Sequence, residues 1–424
     1  MLIVDGGQLS GTVAVPGDKS ISHRAAILAA LANGIGDVSG FLEAADTHAL
    51  LGALEALGVT IERVAPGELR IHGRANAPFD DPAAPLDLGN SGTALRLIAG
   101  VLAGRGTRAV LTGDESLRRR PMARILAPLR QMGARIDAAS GDTAPLTLHG
   151  GALTAIEHAP PAASAQVASC VLLAGLHADG RTQVRLPAPA RDHTERMLAA
   201  YGIDTRDGVT RCDWSRVPAR QVTVPGDPSS AAFVAAGAAL VPGSEVHLEG
   251  LCANPLRTRF ADVLERMGAE VTWTRVRTQD GEPIGDLCVR GAALRGVAIG
   301  PDEVPGLIDE LPVLLAVAAF AHGPTTVDGA AELRYKESDR LATMGAGLEA
   351  MGVRVALRPG GLTLQGGRPT GGEIDAAGDH RVAMAFAIAG LRAPVRIRRW
   401  QAIATSWPAF VADLDAAGLA IKEG

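Results

Sequence analysis

The chain has 424 residues, 47% hydrophobic and 21% charged, which suits two or three globular domains and excludes wholesale disorder. A net charge of -5 gives the surface as a whole no attraction for nucleic acid or acidic membranes, and no apolar run reaches the roughly 18 residues of a membrane span. Cys170, Cys212, Cys252 and Cys288 lie far apart without CxxC spacing, which argues against a zinc site, gives no reason to expect a disulfide framework and makes a reducing cytoplasm the expected compartment.

The first 17 residues read as two strands, LIVDGG and SGTVAVPG, without the basic start and apolar stretch of a signal peptide. Six helices then follow, beginning in DKSISHRAAILAALANG, NSGTALRLIAGVLAG, SAQVASCVLLAGLHADG, DPSSAAFVAAGAALVPG, DELPVLLAVAAFAHG and DHRVAMAFAIAGLRA. Past the first turn most are apolar on nearly all faces, the pattern of a helix buried all round. A second series alternates with them. ALEALGVTI, PLRQMGARI, MLAAYGIDT, VLERMGAEV, GLEAMGVRV and DLDAAGLAI each set a Gly between a helix pattern and a strand pattern, at intervals of 66 to 84 residues. The Gly suits a left-handed C-cap, and the recurrence predicts six copies of one small α/β unit. VPGDKSISHRAAILAAL matches VPGDPSSAAFVAAGAAL, which divides the six into three plus three. The sixth copy, from about Glu373, is short, and the first 17 residues are expected to complete it. The predicted domains are therefore 18–224, and 1–17 with 225–424. Two crossings, near Gly17 and Pro225, predict a hinge beside a substrate cleft.

The polar residues of the buried helices gather at their N-terminal ends. Ser, Asn and Asp serve there as ordinary N-caps, but Lys19, Arg24, Arg96, Gln166, His380 and Arg381 are not cap residues. Helix N-termini supplemented by cations form anion sites. Only three of the 41 basic residues are lysines: Lys19, Lys336 and Lys422. The first two stand in dense polar clusters, PGDKSISHR and RYKESDR, where a compact titratable charge does what Arg cannot; codon bias with chance survivors is the alternative. Arg120 in GDESLRRRPMAR, Arg191 in ARDHTERML and Arg340 in KESDR extend the predicted anion site, whereas Arg118 and Arg119 read as a solvated run.

Two carboxylates are placed for proton transfer. Asp309 opens a buried helix, with an N-cap role and the neighbouring Glu310 as open alternatives. Glu337 stands between Lys336 and Arg340, with charge balancing as its alternative. The phosphate-loop pattern, a GxGxxG after the first strand, HExxH, GxSxG and a convincing metal-ligand set are all missing, and His72, His149 and His247 read as structural or exposed. The expected chemistry uses no cofactor and no metal, only positioning, charge stabilisation and proton transfer.

These clusters resemble the 5-enolpyruvylshikimate-3-phosphate synthase family along essentially the whole chain, through PGDKSISHRAAILAAL, LGNSGTALRLIAG, GDESLRRRPM, ASAQVASCVLLAGL, ARDHTERML, LIDELPVLLAVAAF, ELRYKESDRLATMGAGLEAMG, GDHRVAMAFAIAG and IATSWPAF. KESDR, SAQ at 164–166 and Leu97 look like the class II branch. The resemblance implies a two-domain α/β fold with three βαβαββ-type units per domain. It also implies transfer of the enolpyruvyl group of phosphoenolpyruvate to the 5-hydroxyl of shikimate 3-phosphate, through a tetrahedral intermediate that expels phosphate. By the same resemblance, Lys19, Ser20, Arg24, Ser164, Ala165, Gln166, Arg191, Asp309 and Lys336 contact shikimate 3-phosphate. Lys19, Gly92, Arg120, Gln166, Arg340 and Arg381 contact phosphoenolpyruvate. Asp309 accepts the hydroxyl proton and Glu337 protonates the enol methylene, with Lys19 or Lys336 assisting. A cytoplasmic monomer is expected.

Three departures from the family pattern stand out. Ala165 replaces a second Ser found in many members. The Ala404–Thr405–Ser406–Trp407–Pro408 stretch lacks a Lys that binds phosphoenolpyruvate in the other branch. Gly92 stands where some glyphosate-insensitive members carry Ala, so competitive inhibition by glyphosate is expected. The sister UDP-N-acetylglucosamine enolpyruvyl transferase normally uses a loop Cys near Arg120; residues 112–130 contain none. A non-enzymatic anion binder is the remaining alternative, against which Lys19, Asp309 and Glu337 are all present.

Overall fold

The computed structural model describes residues 1–424. The chain forms two compact units. One, the N-terminal unit, comprises Gly17–Val224 with Thr278–Glu282; the other, the C-terminal unit, comprises Met1–Pro16, Pro225–Arg277 and Pro283–Gly424. Each is built from repeated β–α elements, giving a two-domain α/β fold.

In the N-terminal unit the helices Lys19–Leu31, Gly92–Ala103 and Ala165–Gly175 are buried over nearly their whole length. Two four-stranded sheets cover them. The first runs in the order Gln221–Thr223, Asn33–Ser39, Glu68–Arg74, Thr60–Ala65, and the second Leu86–Asp87, Arg108–Thr112, Thr143–His149, Arg135–Ala139. The third repeat is reduced to short strands, Glu157–His158, Arg181–Val184 and Val209–Thr210. Small residues let the helices touch. A Cβ placed on Gly100 meets the Cys170 carbonyl oxygen of the neighbouring helix at 2.3 Å.

The C-terminal unit repeats the scheme around Pro228–Leu240, Leu311–Ala318 and His380–Ala389. Every residue of Pro228–Leu240 is buried, which its run of Ala and Gly permits without crowding. Leu2–Gly7 lies antiparallel between Val395–Arg398 and Leu419–Glu423, with Leu2 opposite Ile397 on one side and Glu423 on the other. Ser10–Thr12 instead pairs in parallel with Glu245–Cys252, in the fourth repeat. The N-terminal segment therefore serves two sheets, where the repeat pattern pointed only to the sixth. No helix is long and apolar enough to cross a membrane, and the four cysteines form no disulfide.

Gly100→Ala should destabilise the protein by about 1–3 kcal/mol, because the backbone contact leaves the new methyl nowhere to go. Gly52, exposed on the helix Ala45–Ala56, is the control, since a Cβ added there meets nothing within 4 Å. Gly52→Ala should be neutral or stabilising by up to about 1 kcal/mol. Urea unfolding midpoints of the two variants check the pair.

Candidate active site

A helix that starts in the interior must satisfy its first N–H groups there. In the N-terminal unit Asp18, Ser91 and Ser164 do so, accepting from the backbone N–H of Ile21, Ala94 and Val167 at 2.8, 3.2 and 3.4 Å. The ordinary cap reading is therefore right for these residues, and it leaves the neighbouring side chains for other work. Those side chains tie the three first turns together. His23 Nδ1 lies 2.6 Å from the Lys19 carbonyl and Nε2 lies 3.1 Å from Ser91 Oγ. The carbonyl can only accept, so Nδ1 carries the hydrogen and Nε2 of the neutral ring accepts from the Ser91 hydroxyl. Gln166 donates to Thr93 Oγ1 at 2.9 Å and accepts from Arg96 at 2.8 Å. Three positive helix ends thus converge with cations beside them, an arrangement suited to binding anions.

The predicted residues of this unit take different positions in that arrangement. Lys19 is the first residue of its helix, and its ammonium lies 3.0 Å from Asp46. Ser20 follows it, half-buried. Arg24 is buried, donating to Thr194 Oγ1 at 2.7 Å, Ser169 Oγ at 2.6 Å and the Ser20 carbonyl at 2.9 Å. Gly92 opens its helix, and a Cβ there would come within 2.7 Å of Arg96 Nη1 and 3.2 Å of Arg120 Nη1. Arg120 follows the short helix Glu115–Arg119 and donates to the side chain and carbonyl of Asn90. Arg119 pairs with Glu115 at the surface, as a solvated run should. Ala165 and Gln166 are the first two residues of their helix, and Arg191 sits half-buried on the loop before His193–Ala200.

In the C-terminal unit the same convergence carries carboxylates. Asp379 caps its helix through the Arg381 N–H at 2.9 Å. It also receives Arg340 Nε at 2.8 Å, an ion pair with both side chains almost fully buried. Arg340 reaches Glu337 at 2.5 Å and Asp309 at 3.4 Å with its remaining nitrogens. Arg381 donates to the Asp309 carbonyl at 3.1 Å and lies 3.6 Å from its carboxylate. Burial opposes the charge on Arg340, but Asp379, Glu337 and Asp309 outweigh it and raise its pKa. Burial lowers the pKa of Lys336, against the pull of Asp309. Asp309 is not a helix cap. The helix begins at Leu311 without side-chain capping, and Glu310 is fully buried on the Ser229 hydroxyl. Of the two adjacent carboxylates, Asp309 keeps partial exposure and faces the guanidinium groups.

Asp46, Asn90, Thr93, His23 and Asp379 belong to these clusters and were not singled out by the sequence pattern as site residues. Asp46 and Asp379 had a local signal, a carboxylate in or before a first helical turn, that reads equally as capping. Asn90 had only its place before a capping Ser.

The family described as EPSP synthase (3-phosphoshikimate 1-carboxyvinyltransferase) matches residues 3–414. The 3-phosphoshikimate 1-carboxyvinyltransferase of Methylococcus capsulatus is 50% identical over 423 residues, covering 98% of this chain and 97% of that one. The EPSP synthase of Acinetobacter baumannii, a solved structure, is 42% identical with a TM-score of 0.88, covering 99% of both chains. The enolpyruvyl transferase NikO from Streptomyces tendae, 19% identical with a TM-score of 0.77, shares the fold. These end-to-end matches overturn the class II expectation. They place the chain with the class I enzymes, and KESDR, SAQ and Leu97 are local differences that do not mark a branch.

Burial lowers the His23 pKa from 6.5 to about 4, partly offset by its bond to the Lys19 carbonyl. Between those values only the unfolded chain takes up the proton. Stability should therefore fall by about 1.4 kcal/mol per pH unit as pH drops through this window from this residue alone. His23→Asn should make the pH dependence of the urea midpoint shallower by one proton between pH 6.5 and 4; an unchanged slope would show that the ring is protonated in the fold.

Proposed function

Since the chain belongs to the EPSP synthase family, we propose how its two clusters divide the reaction it catalyses. That reaction transfers the enolpyruvyl group of phosphoenolpyruvate to shikimate 3-phosphate in the shikimate pathway. In the proposed division, shikimate 3-phosphate is held by Lys19, Ser20, Arg24, Ser164, Ala165, Gln166 and Arg191, with Asp309 and Lys336 at its hydroxyl side. Phosphoenolpyruvate is held by Lys19, the Gly92 backbone, Arg120, Gln166, Arg340 and Arg381. The buried Asp379 fixes Arg340 from behind, so the outward nitrogens of the guanidinium can exchange a carboxylate for a substrate oxygen without losing their orientation.

Asp309 takes the proton of the attacking 5-hydroxyl as its oxygen bonds to C2 of phosphoenolpyruvate. Glu337 delivers a proton to C3, which becomes a methyl group, and the tetrahedral intermediate results. When phosphoenolpyruvate occupies Arg340, Glu337 loses its countercharge, and its affinity for that proton rises. Collapse breaks the C2–O bond to phosphate, returns a methyl proton to the protein and restores the double bond. The observation that carries this reading is the Asp309–Arg340–Glu337 constellation, two carboxylates held on one fixed guanidinium. The reading further takes the chain to be a cytoplasmic monomer.

The protein should release phosphate from phosphoenolpyruvate with shikimate 3-phosphate and not with UDP-N-acetylglucosamine. Lys19→Arg should lower kcat by about 100-fold or more, because a planar fork does not replace a compact titratable donor; near-normal turnover removes Lys19 from the chemistry. Glyphosate, which carries a phosphonate and a carboxylate, should compete with phosphoenolpyruvate, and Gly92→Ala should weaken it by crowding Arg96 and Arg120. Steady-state inhibition at varied phosphoenolpyruvate checks this, and full activity at millimolar glyphosate with limiting phosphoenolpyruvate contradicts it.

A further inference from the structure

One sheet of the C-terminal unit presents a donor set that the reaction does not use. Its strands run in the order Glu270–Gln279, Glu282–Arg290, Glu245–Cys252, Ser10–Thr12. Val246, Leu248, Leu287 and Val289 face the core, so the alternate positions Glu245, His247, Cys288 and Arg290 share the outer face. His247 stands directly opposite Cys288 and Glu245 opposite Arg290. His247 Nε2 is 3.2 Å from Glu245 Oε1, and Cys288 Sγ is 3.9 Å from the same oxygen. The three donor atoms all lie within 4.8 Å of one another.

We propose that Glu245, His247 and Cys288 form a zinc-binding site on the outer face of this sheet. Zinc bonds of about 2.0–2.1 Å to nitrogen, 2.0–2.2 Å to a carboxylate and 2.3 Å to sulfur, set at tetrahedral angles, require donor separations of roughly 3.3 Å for N···O and 3.6 Å for S···O. The first matches the observed spacing and the second needs a small side-chain rotation. Imidazole with thiolate selects a borderline-soft ion over magnesium or calcium. His247 and Glu245 are half-exposed, which supplies an entry path and leaves the fourth position to water. Arg290 is the competitor, bonded to both oxygens of Glu245 at 3.0 Å. An exposed ion pair of this kind adds little to stability, and Glu270, 3.7 Å from Arg290, can receive the displaced guanidinium. Binding deprotonates the Cys288 thiol, and the proton leaves to solvent. The bound ion clamps two neighbouring strands and masks the thiol.

Full-length, metal-free protein titrated with Co2+ should bind one equivalent with a thiolate-to-cobalt charge-transfer band, which Zn2+ bleaches. Cys288→Ser should abolish the band, Cys212→Ser should retain it, and His247→Ala should weaken binding by about tenfold or more. Turnover of the enzyme should be unchanged in all three variants. No band in the unmodified protein, or a band that survives Cys288→Ser, overturns the site. Should Cys288→Ser fail to fold, alkylation of the unmodified protein decides: Zn2+ must protect Cys288, and equal labelling with and without Zn2+ overturns the proposal.

Discussion

A helix buried on every face can hold polar side chains only at its ends, and its first N–H groups must find partners inside the protein. This constraint organises both units. Asp18, Ser91, Ser164, Asp227 and Asp379 meet it with side-chain oxygens. Once the caps are in place, the next residues of the same turns are held in fixed positions beside the positive ends of the helix dipoles. Lys19, Gln166 and Arg381 occupy such positions. The interior thus builds surfaces suited to anions from the ends of elements whose middles are almost entirely Ala, Leu, Val and Ile.

The two units use this device differently. In the N-terminal cluster Asp18 caps a helix and Asp46 pairs with Lys19, and the other polar residues are cross-linked by His23–Ser91, Gln166–Thr93 and Arg24–Ser169. The C-terminal cluster instead gathers three carboxylates on one guanidinium. Burying Arg340 and Asp379 together carries a desolvation cost that a single contact would not offset. Two bonds between them, with Ser338 on Asp379 and Glu337 and Asp309 on Arg340, satisfy both groups. Arg257, Asp227, Ser229 and Glu310 form a second buried network at the helix starts. Glu310 is thereby tied to Ser229 and Asp309 turned to Arg340 and Arg381, although they are adjacent in the chain.

Much of this was legible in the residues. The apolar faces of the six helices, their polar first turns and the scarcity of Lys are local patterns, and they led to Lys19, Gln166, Arg340, Asp309 and Glu337. Other parts were not. The choice between Asp309 and Glu310 depends on which side chain points at Ser229 and which at Arg381, and adjacent residues give no hint of that. Arg24 reads like any other first-turn cation, yet its donors turn inward to Thr194 and Ser169. His247 read as structural or exposed and Cys288 as one of four scattered thiols, because spacing along the chain does not reveal a cross-strand register.

From the sequence alone came the repeat, the buried helices, the kinds of group at their N-terminal ends and the family resemblance, since each is written in contiguous residues with a period of one helical turn or one repeat. The tertiary structure decided the partners. His23 meets Ser91 across 68 residues, Arg381 meets Asp309 across 72 and Cys288 meets Glu245 across 43. It also sent Ser10–Thr12 to the fourth repeat rather than the sixth. Such pairings follow from the packing of whole elements, in which the burial of many apolar side chains sets the register and each polar pair forms where that packing brings it.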